Sequence, residues 1–256
     1  MAAHRQGRIF LPPKDLCPIC PTQGELLTEI PESTYEVVVY DNRSPSFRPP
    51  TSEWVLPIVD SVSTPDGQSA GKCEVICFTS EHDKSLKDLN QNQLKTLITA
   101  WADRTAELSK KPYIEYVGLF ENRGKEVGVT LHHPHSQIYA YSFIPPRIEK
   151  MVNAANKYFE TTGKILLDEI VARELREKIR IVLENQNWVA YVPYAAKYPF
   201  EIHVAPKKSV ADLSELTEEQ LNSWPEIASA VMKKLDGVFD VEMPYIAAWY
   251  QSPVKR

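Results

Sequence analysis

The sequence predicts an α+β fold built from two related halves. Strand-like runs rich in β-branched residues, such as YEVVVYDN (35–42) and GKCEVICFTS (71–80), alternate with segments that have leucines at helical spacing. The second half partly repeats the first, because EVICFTSEHDKSLKDLNQNQL (74–94) aligns without a gap with EIHVAPKKSVADLSELTEEQL (201–221). Both segments predict a strand, a loop and a capped helix in that order, which favours an internal duplication.

The remaining elements follow from local patterns. A long helix is predicted over 85–108, with Ser85 as its N-cap and Asp88 three positions later. PYIEYVGLFENRGKEVGV (112–129) predicts a strand, a turn and a return toward the next strand, TLHHPHSQIYAYSF (130–143). Residues 148–185 predict one or two helices.

The chain is expected to divide into an N-terminal repeat, 1–147, and a C-terminal repeat, 148–256. In the first repeat the histidine-containing strand follows the helix that includes Leu94. His133 follows Leu94 by 39 residues (133 − 94), and the same interval after Leu221 would fall at position 260, beyond Arg256. The second repeat is therefore expected to be incomplete and to lack its closing strand.

Composition excludes several classes of protein. With 256 residues, 43% hydrophobic and 25% charged, the chain has ordinary globular composition. Its net charge of −5 argues against a nucleic-acid partner, which would require a basic face. No apolar run reaches the roughly 18 residues of a membrane helix, and the first residues lack a signal-peptide core, so a cytoplasmic location without membrane contact is expected.

The four cysteines fall into two pairs. Cys17 and Cys20 form a CxxC pair, which is typical of metal sites but also of redox centres and simple loops. A closed tetrahedral zinc site would require two more ligands, and His82 and His133 are the candidates. The other pair, 73 and 77, lies in an apolar strand-like run and is interpreted as core.

The segment HHPHSQ carries three of the six histidines. If it is a strand, His133, His135 and Gln137 share one face, because side chains two positions apart point the same way. A neutral imidazole at His135 could attack an electrophilic phosphorus and form a phosphoramidate. Gln137 could then donate to a phosphoryl oxygen as charge builds up in the transition state.

Several motifs occur together in one order: CPIC, VICFTSEHDKSL, FENRGKEVG, HPHSQIYAYSFIPP and YPFEIHVAPK. In this order and approximate spacing the chain resembles the galactose-1-phosphate uridylyltransferases, the duplicated branch of the histidine-triad superfamily. The resemblance implies a histidine-triad-like antiparallel half-barrel with flanking helices and a homodimer. It also implies a ping-pong reaction on UDP-glucose and galactose 1-phosphate.

The resemblance also implies roles for individual residues. His135 matches the nucleophile that carries the uridylyl group, and Cys17, Cys20, His82 and His133 match zinc ligands. The residues that match contacts to the nucleotide and its phosphates are Arg5, Arg8, Asn42, Asn122, Thr130 and Gln137.

Two alternative functions remain open at the level of the sequence. A nucleotide-sugar or dinucleoside phosphorylase of the same superfamily would use the same His135, with phosphate as the acceptor. A non-catalytic nucleotide-binding or zinc-stabilised interaction protein is the second alternative. The acceptor that discharges a nucleotide bound to the protein would distinguish them.

Overall fold

A computed structural model describes residues 11–24, 27–50 and 70–254, and within them confirms the α+β class. The strands are β1 (Val38–Asp41), β2 (Gly71–Cys77), β3 (Tyr116–Arg123), β4 (His135–Tyr141), β5 (Ile181–Glu184), β6 (Trp188–Tyr191), β7 (His203–Pro206) and β8 (Tyr245–Trp249). The α-helices are α1 (Gln91–Ser109), α2 (Pro146–Thr162), α3 (Leu166–Glu177) and α4 (Glu218–Asp236). Within the described ranges, none of these helices has the length and apolar character to cross a membrane.

The strands form two antiparallel sheets. The larger has the order β1-β2-β4-β3-β8, and the smaller has the order β5-β6-β7. Strand β4 therefore lies at the centre of the larger sheet, and β8, from late in the chain, pairs along the far side of β3. Helices α1 and α4 pack against each other and share one apolar core with this sheet. We call the sheet face that points away from α1 the outer face.

The long helix expected from Ser85 is two elements. Ser85 caps a 3-10 turn, Leu86–Asp88, and α1 begins only after Asn90. The Asn90 side chain accepts a hydrogen bond from the backbone N–H of Gln93 at 3.0 Å, and the Gln93 side chain accepts one from the N–H of Asn90 at 3.0 Å. This reciprocal capping box fixes the start of the helix, so the predicted N-cap, Ser85, was wrong by five residues (90 − 85).

The second half contains the same arrangement. Thr217 and Gln220 form the capping box of α4, and the 3-10 turn Leu213–Glu215 precedes it. The turn Leu213–Glu215 begins 127 residues after its counterpart Leu86–Asp88 (213 − 86). Helix α4 also begins 127 residues after its counterpart α1 (218 − 91). Similar local sequence therefore gives similar local structure in the two halves.

Two other boundaries differ from the sequence prediction. The segment 148–185 contains α2, α3 and also the strand β5, so the prediction of helix alone was wrong at its end. Strand β4 begins at His135 and not near residue 130, because Pro134 has no N–H to donate to a neighbouring strand. His133 consequently lies before the strand and does not share a strand face with His135.

Candidate functional site

One buried cluster, which we call the metal-ligand cluster, is formed by Cys17, Cys20, His82 and His133. Their potential ligand atoms all lie within 4.8 Å of one another. Sγ of Cys20 is 3.3 Å from Nδ1 of His82 and 3.2 Å from Nδ1 of His133. Cys17 directly follows a 3-10 turn, Lys14–Leu16, and completes the set of four. The structure thus brings together the four residues that the sequence suggested as a ligand set.

The chemistry of this cluster fits a divalent metal such as zinc. Bonds of about 2.3 Å to sulfur and 2.0 Å to nitrogen place tetrahedral ligand atoms roughly 3.6 Å apart, close to the separations seen here. Burial lowers the pKa of His133 to about 4 and lowers the pKa of His82, so both imidazoles are neutral, as metal ligands require. Burial and the neighbouring Cys17 raise the pKa of the Cys20 thiol to about 12, and a bound cation would favour the thiolate.

The loop that carries the cysteines is held by its own hydrogen bonds. The hydroxyl of Thr28 donates to the carbonyl of Cys20 at 2.6 Å, and Thr22 N–H donates to the carbonyl of Ile30 at 2.9 Å. Ile30 is buried with the cysteines against the strand residue Cys77. The cluster therefore ties the N-terminal loop to strand β2.

His135 and Gln137 lie on the outer face of β4, two positions apart. Nδ1 of His135 is 2.8 Å from the carbonyl oxygen of His133. A carbonyl only accepts hydrogen bonds, so Nδ1 carries the proton and Nε2 carries a free lone pair. Burial lowers the pKa of His135, although the same carbonyl contact raises it. The imidazole is half-buried, neutral and has one nucleophilic nitrogen.

The other predicted substrate contacts occupy different positions around His135. Asn42 donates to Oε1 of Gln137 at 3.4 Å, and its own oxygen accepts from the N–H of Ser44 at 2.9 Å. In the antiparallel pairing of β3 with β4, Glu121 lies opposite Ser136. The next residue of β3, Asn122, therefore comes opposite His135. Its Oδ1 is buried and has no partner among the described residues.

The remaining predicted contacts lie toward the N-terminal segment. Thr130 is half-buried, and its carbonyl accepts from the N–H of Leu11 at 3.0 Å. Arg5 and Arg8 lie outside the described residues, so their placement stays a prediction.

The helix side of β4 fixes the strand that carries His135. Ser136 is fully buried on that side, and Nε1 of Trp101 in α1 donates to its hydroxyl at 2.9 Å. Because neighbouring strand residues point to opposite faces, anchoring Ser136 also sets the direction of His135.

Sequence reasoning did not find Glu121, which lies in β3 beside the site. Its Oε1 accepts a hydrogen bond from the hydroxyl of Tyr245 at 2.5 Å, and its Oε2 is buried without a partner among the described residues. Burial raises the pKa of Glu121 to about 7, against the opposing effects of Tyr245 and of the charge on Arg123. Its only sequence signal is its place in the motif FEN, in which the family resemblance assigns a role to Asn122 alone.

We expect Glu121→Gln to remove part of the pH dependence of stability. The folded-state pKa lies above the unfolded value of about 4.3, so Glu121 lowers the free energy of unfolding progressively as pH rises from about 4 to about 7. The glutamine variant is not subject to this loss and should gain up to about 4 kcal/mol relative to the native chain well above pH 7.

Urea denaturation of both proteins at about pH 5 and about pH 8 measures this difference. The histidines contribute equally to both proteins and cancel in the comparison. If the two proteins differ in stability by the same amount at both pH values, Glu121 does not change its protonation state between them, and the prediction is wrong.

Comparison with known proteins gives the family. Residues 2–145 match the family model described as galactose-1-phosphate uridyl transferase, N-terminal domain. Residues 151–256 match the model described as its C-terminal domain. Together they describe a chain of the nucleotide-transferring class. The chain belongs to the galactose-1-phosphate uridyl transferase family.

Curated relatives agree with this assignment. The galactose-1-phosphate uridylyltransferase of Streptomyces lividans is 40% identical over 252 residues, which are 97% of this chain and 65% of the relative. The enzyme of the same name from Thermotoga maritima is 38% identical over 99% of this chain and 77% of the relative. The chain therefore spans about two thirds to three quarters of the length of these relatives.

Solved structures show the same fold. A structure described as uridylyltransferase superposes with a TM-score of 0.82 at 33% identity, over 96% of this chain and 76% of the other. An ADP-glucose phosphorylase from Arabidopsis thaliana superposes with a TM-score of 0.73 at 21% identity, over 89% of this chain and 68% of the other. At that lower identity the second match concerns the fold alone.

Proposed function

We propose that this chain transfers a uridylyl group between UDP-glucose and galactose 1-phosphate, with His135 as the nucleophile. Family membership and the names of the relatives support the substrates and the reaction. The observation that carries the residue assignment is the contact between Nδ1 of His135 and the carbonyl of His133, which leaves Nε2 as the free nitrogen. The homodimer implied by the sequence resemblance is part of this proposal.

The reaction takes place in two displacements at one phosphorus atom. The lone pair on Nε2 of His135 attacks the α-phosphorus of UDP-glucose, a P–N bond forms, and the P–O bond to the β-phosphate breaks. Glucose 1-phosphate leaves. A phosphate oxygen of galactose 1-phosphate then attacks the same phosphorus, the P–N bond breaks, and UDP-galactose leaves with the imidazole restored.

Gln137 is placed to assist both displacements. Its Oε1 accepts from Asn42, so its amide nitrogen stays available to donate to a phosphoryl oxygen. Such a donor stabilises the charge that develops on the transferring group. In this proposal Asn42 positions the side chain of Gln137, because both the nitrogen and the oxygen of the Asn42 amide have protein partners.

Cys17, Cys20, His82 and His133 are proposed to hold a structural zinc ion. Two sulfurs and two neutral imidazole nitrogens leave no open coordination position, as in structural zinc sites. Zinc, when bound, supplies a cross-link between the N-terminal loop, the loop after β2 and the residue two positions before His135. The chain's own residues carry the chemistry of transfer.

We also propose that 1–147 and 148–256 are tandem repeats. The constant interval between the two capped helices and their preceding turns supports this division. The strand β8 nevertheless joins the sheet of the first repeat, so the two repeats would share one core.

Double-labelled UDP-glucose tests the proposed reaction. With ³²P in the α-phosphate and ¹⁴C in the glucose, we expect the protein to retain ³²P in an acid-labile bond and to release ¹⁴C as glucose 1-phosphate. The Thermotoga maritima relative serves as the positive control. Galactose 1-phosphate should discharge the adduct as UDP-galactose, whereas discharge by inorganic phosphate alone would identify a phosphorylase. Protein that retains no label, while the control does, would contradict the proposal.

A further inference from the structure

The buried ring of His133 has contacts at both nitrogens. Nδ1 lies 3.2 Å from Sγ of Cys20, on the side of the metal-ligand cluster. Nε2 lies 2.8 Å from the carbonyl oxygen of Thr79 and 2.8 Å from the hydroxyl oxygen of Tyr35. The ring is fully buried, so water does not compete for either nitrogen.

These contacts determine which nitrogen carries the proton. The carbonyl of Thr79 only accepts, so Nε2 of His133 is the donor and Nδ1 presents its lone pair to the cluster. Since Nε2–H is the donor, the oxygen of Tyr35 accepts from the same N–H. The hydrogen of the Tyr35 hydroxyl is then free to point toward the thiol of Cys77, which interacts with the same hydroxyl.

We propose that Tyr35 is a positioning residue of the metal centre, and that its hydroxyl holds the His133 ring with Nδ1 directed at the metal. The inference rests on the metal site of the proposed function. Outer partners of this kind fix the tautomer and the orientation of metal-bound histidines. The carbonyl of Thr79 provides one such partner, and Tyr35 provides a second that confines the ring from another direction.

Tyr35 also lies outside the regular pairing of the sheet. Strand β1 begins at Val38, so Tyr35 precedes it and has no place in the β1–β2 ladder. Its ring lies 6.4 Å from the His133 ring, and it packs with the buried cluster around the cysteines. A substitution that keeps the ring and removes only the hydroxyl therefore removes the hydrogen bond to His133 and the interaction with the Cys77 thiol, and leaves the packing of the ring in place.

The chain offers a matched control in Tyr40. Its hydroxyl also contacts the thiol of Cys77, at 3.8 Å, and its ring packs with the same cluster of buried residues. It lies within β1, and among the described residues its hydroxyl is hydrogen-bonded to Cys77 and not to His133. Tyr40→Phe removes an equivalent hydroxyl from the same neighbourhood without touching a metal ligand.

The test is the zinc affinity of Tyr35→Phe, measured by competition with a chromophoric chelator and compared with the native chain and Tyr40→Phe. We expect Tyr35→Phe to bind zinc roughly 10-fold to 100-fold more weakly, as for other outer partners of metal-bound histidines. Tyr40→Phe should bind like the native chain. Equal affinity in all three proteins would overturn the inference and leave the metal site intact. A native chain that binds no zinc would overturn the metal site itself.

A second readout separates positioning from simple packing. The unfolding transition of each protein is measured with zinc and after treatment with chelator. If Tyr35 acts on the metal centre, Tyr35→Phe should lose more stability relative to the native chain in the zinc-loaded state than after treatment with chelator. A deficit of the same size in the metal-free proteins would show that the hydroxyl contributes only to packing, and would contradict the proposed role.

Discussion

Replacing His135 with glycine should abolish uridylyl transfer, and added imidazole should restore part of it. The substitution removes the nitrogen that we expect to bond to phosphorus, so the rate of UDP-galactose formation should fall by roughly 10⁴-fold or more. Glycine leaves room for a free imidazole on the outer face beside Gln137. Imidazole can form the P–N bond in place of the side chain, and galactose 1-phosphate can then break it. The measurement is UDP-galactose formation with and without imidazole.

Two variants test whether such a rescue is specific. Gln137→Ala should slow transfer by about 10²-fold, the scale of one lost transition-state hydrogen bond, and imidazole should not correct it. His132→Asn should behave like the native chain, because His132 is exposed and precedes β4. A covalent nucleotide adduct that forms in His135→Gly at the native rate without imidazole would exclude His135 as the nucleophile.

The four members of the metal-ligand cluster could be predicted from the sequence because their chemistry is restrictive. A CxxC pair requires two further ligands for a closed tetrahedral site, and the chain has only six histidines from which to choose. The predicted strand through Pro134 was nevertheless wrong, because the missing N–H of that proline delays the strand until His135.

That boundary changes the meaning of the HHPHSQ segment. In a continuous strand the side chains of His133 and His135 would point the same way. His133 could not then lie in the buried cluster while His135 faced the outer side. Because the strand starts at His135, the ring of His133 turns into the cluster while its carbonyl accepts from His135. The proline therefore separates the proposed metal ligand, His133, from the proposed nucleophile, His135, and leaves them two residues apart.

Contacts that depend on distant parts of the chain could not be predicted. Tyr35 resembled the first residue of a strand, and no local pattern indicates that its hydroxyl reaches His133. Tyr245 and Glu121 are likewise brought together only by the pairing of β8 with β3. Local sequence determines capping boxes and turns, whereas the order of strands in a sheet depends on the packing of the whole core.

Cys20→Ser should remove the metal and lower stability by a large amount. Cys20 contacts both histidines of the cluster, so its loss removes a thiolate that the other ligands cannot replace. If the native chain holds zinc at about 1,000 times its dissociation constant, the metal contributes about 4 kcal/mol to the free energy of unfolding. We expect metal analysis to find about one zinc per native chain and none in the variant.

The chelator-treated native chain provides the decisive comparison for Cys20→Ser. If Cys20 acts through the metal, chelation should lower the stability of the native chain to nearly that of Cys20→Ser and leave the variant almost unchanged. Cys73→Ala is the control, because Cys73 is buried in β2 but lies outside the metal-ligand cluster. It should keep its zinc, and any destabilisation should persist after chelation, since it would come from a cavity. Zinc retained by Cys20→Ser, or a native chain indifferent to chelation, would contradict a structural metal at this site.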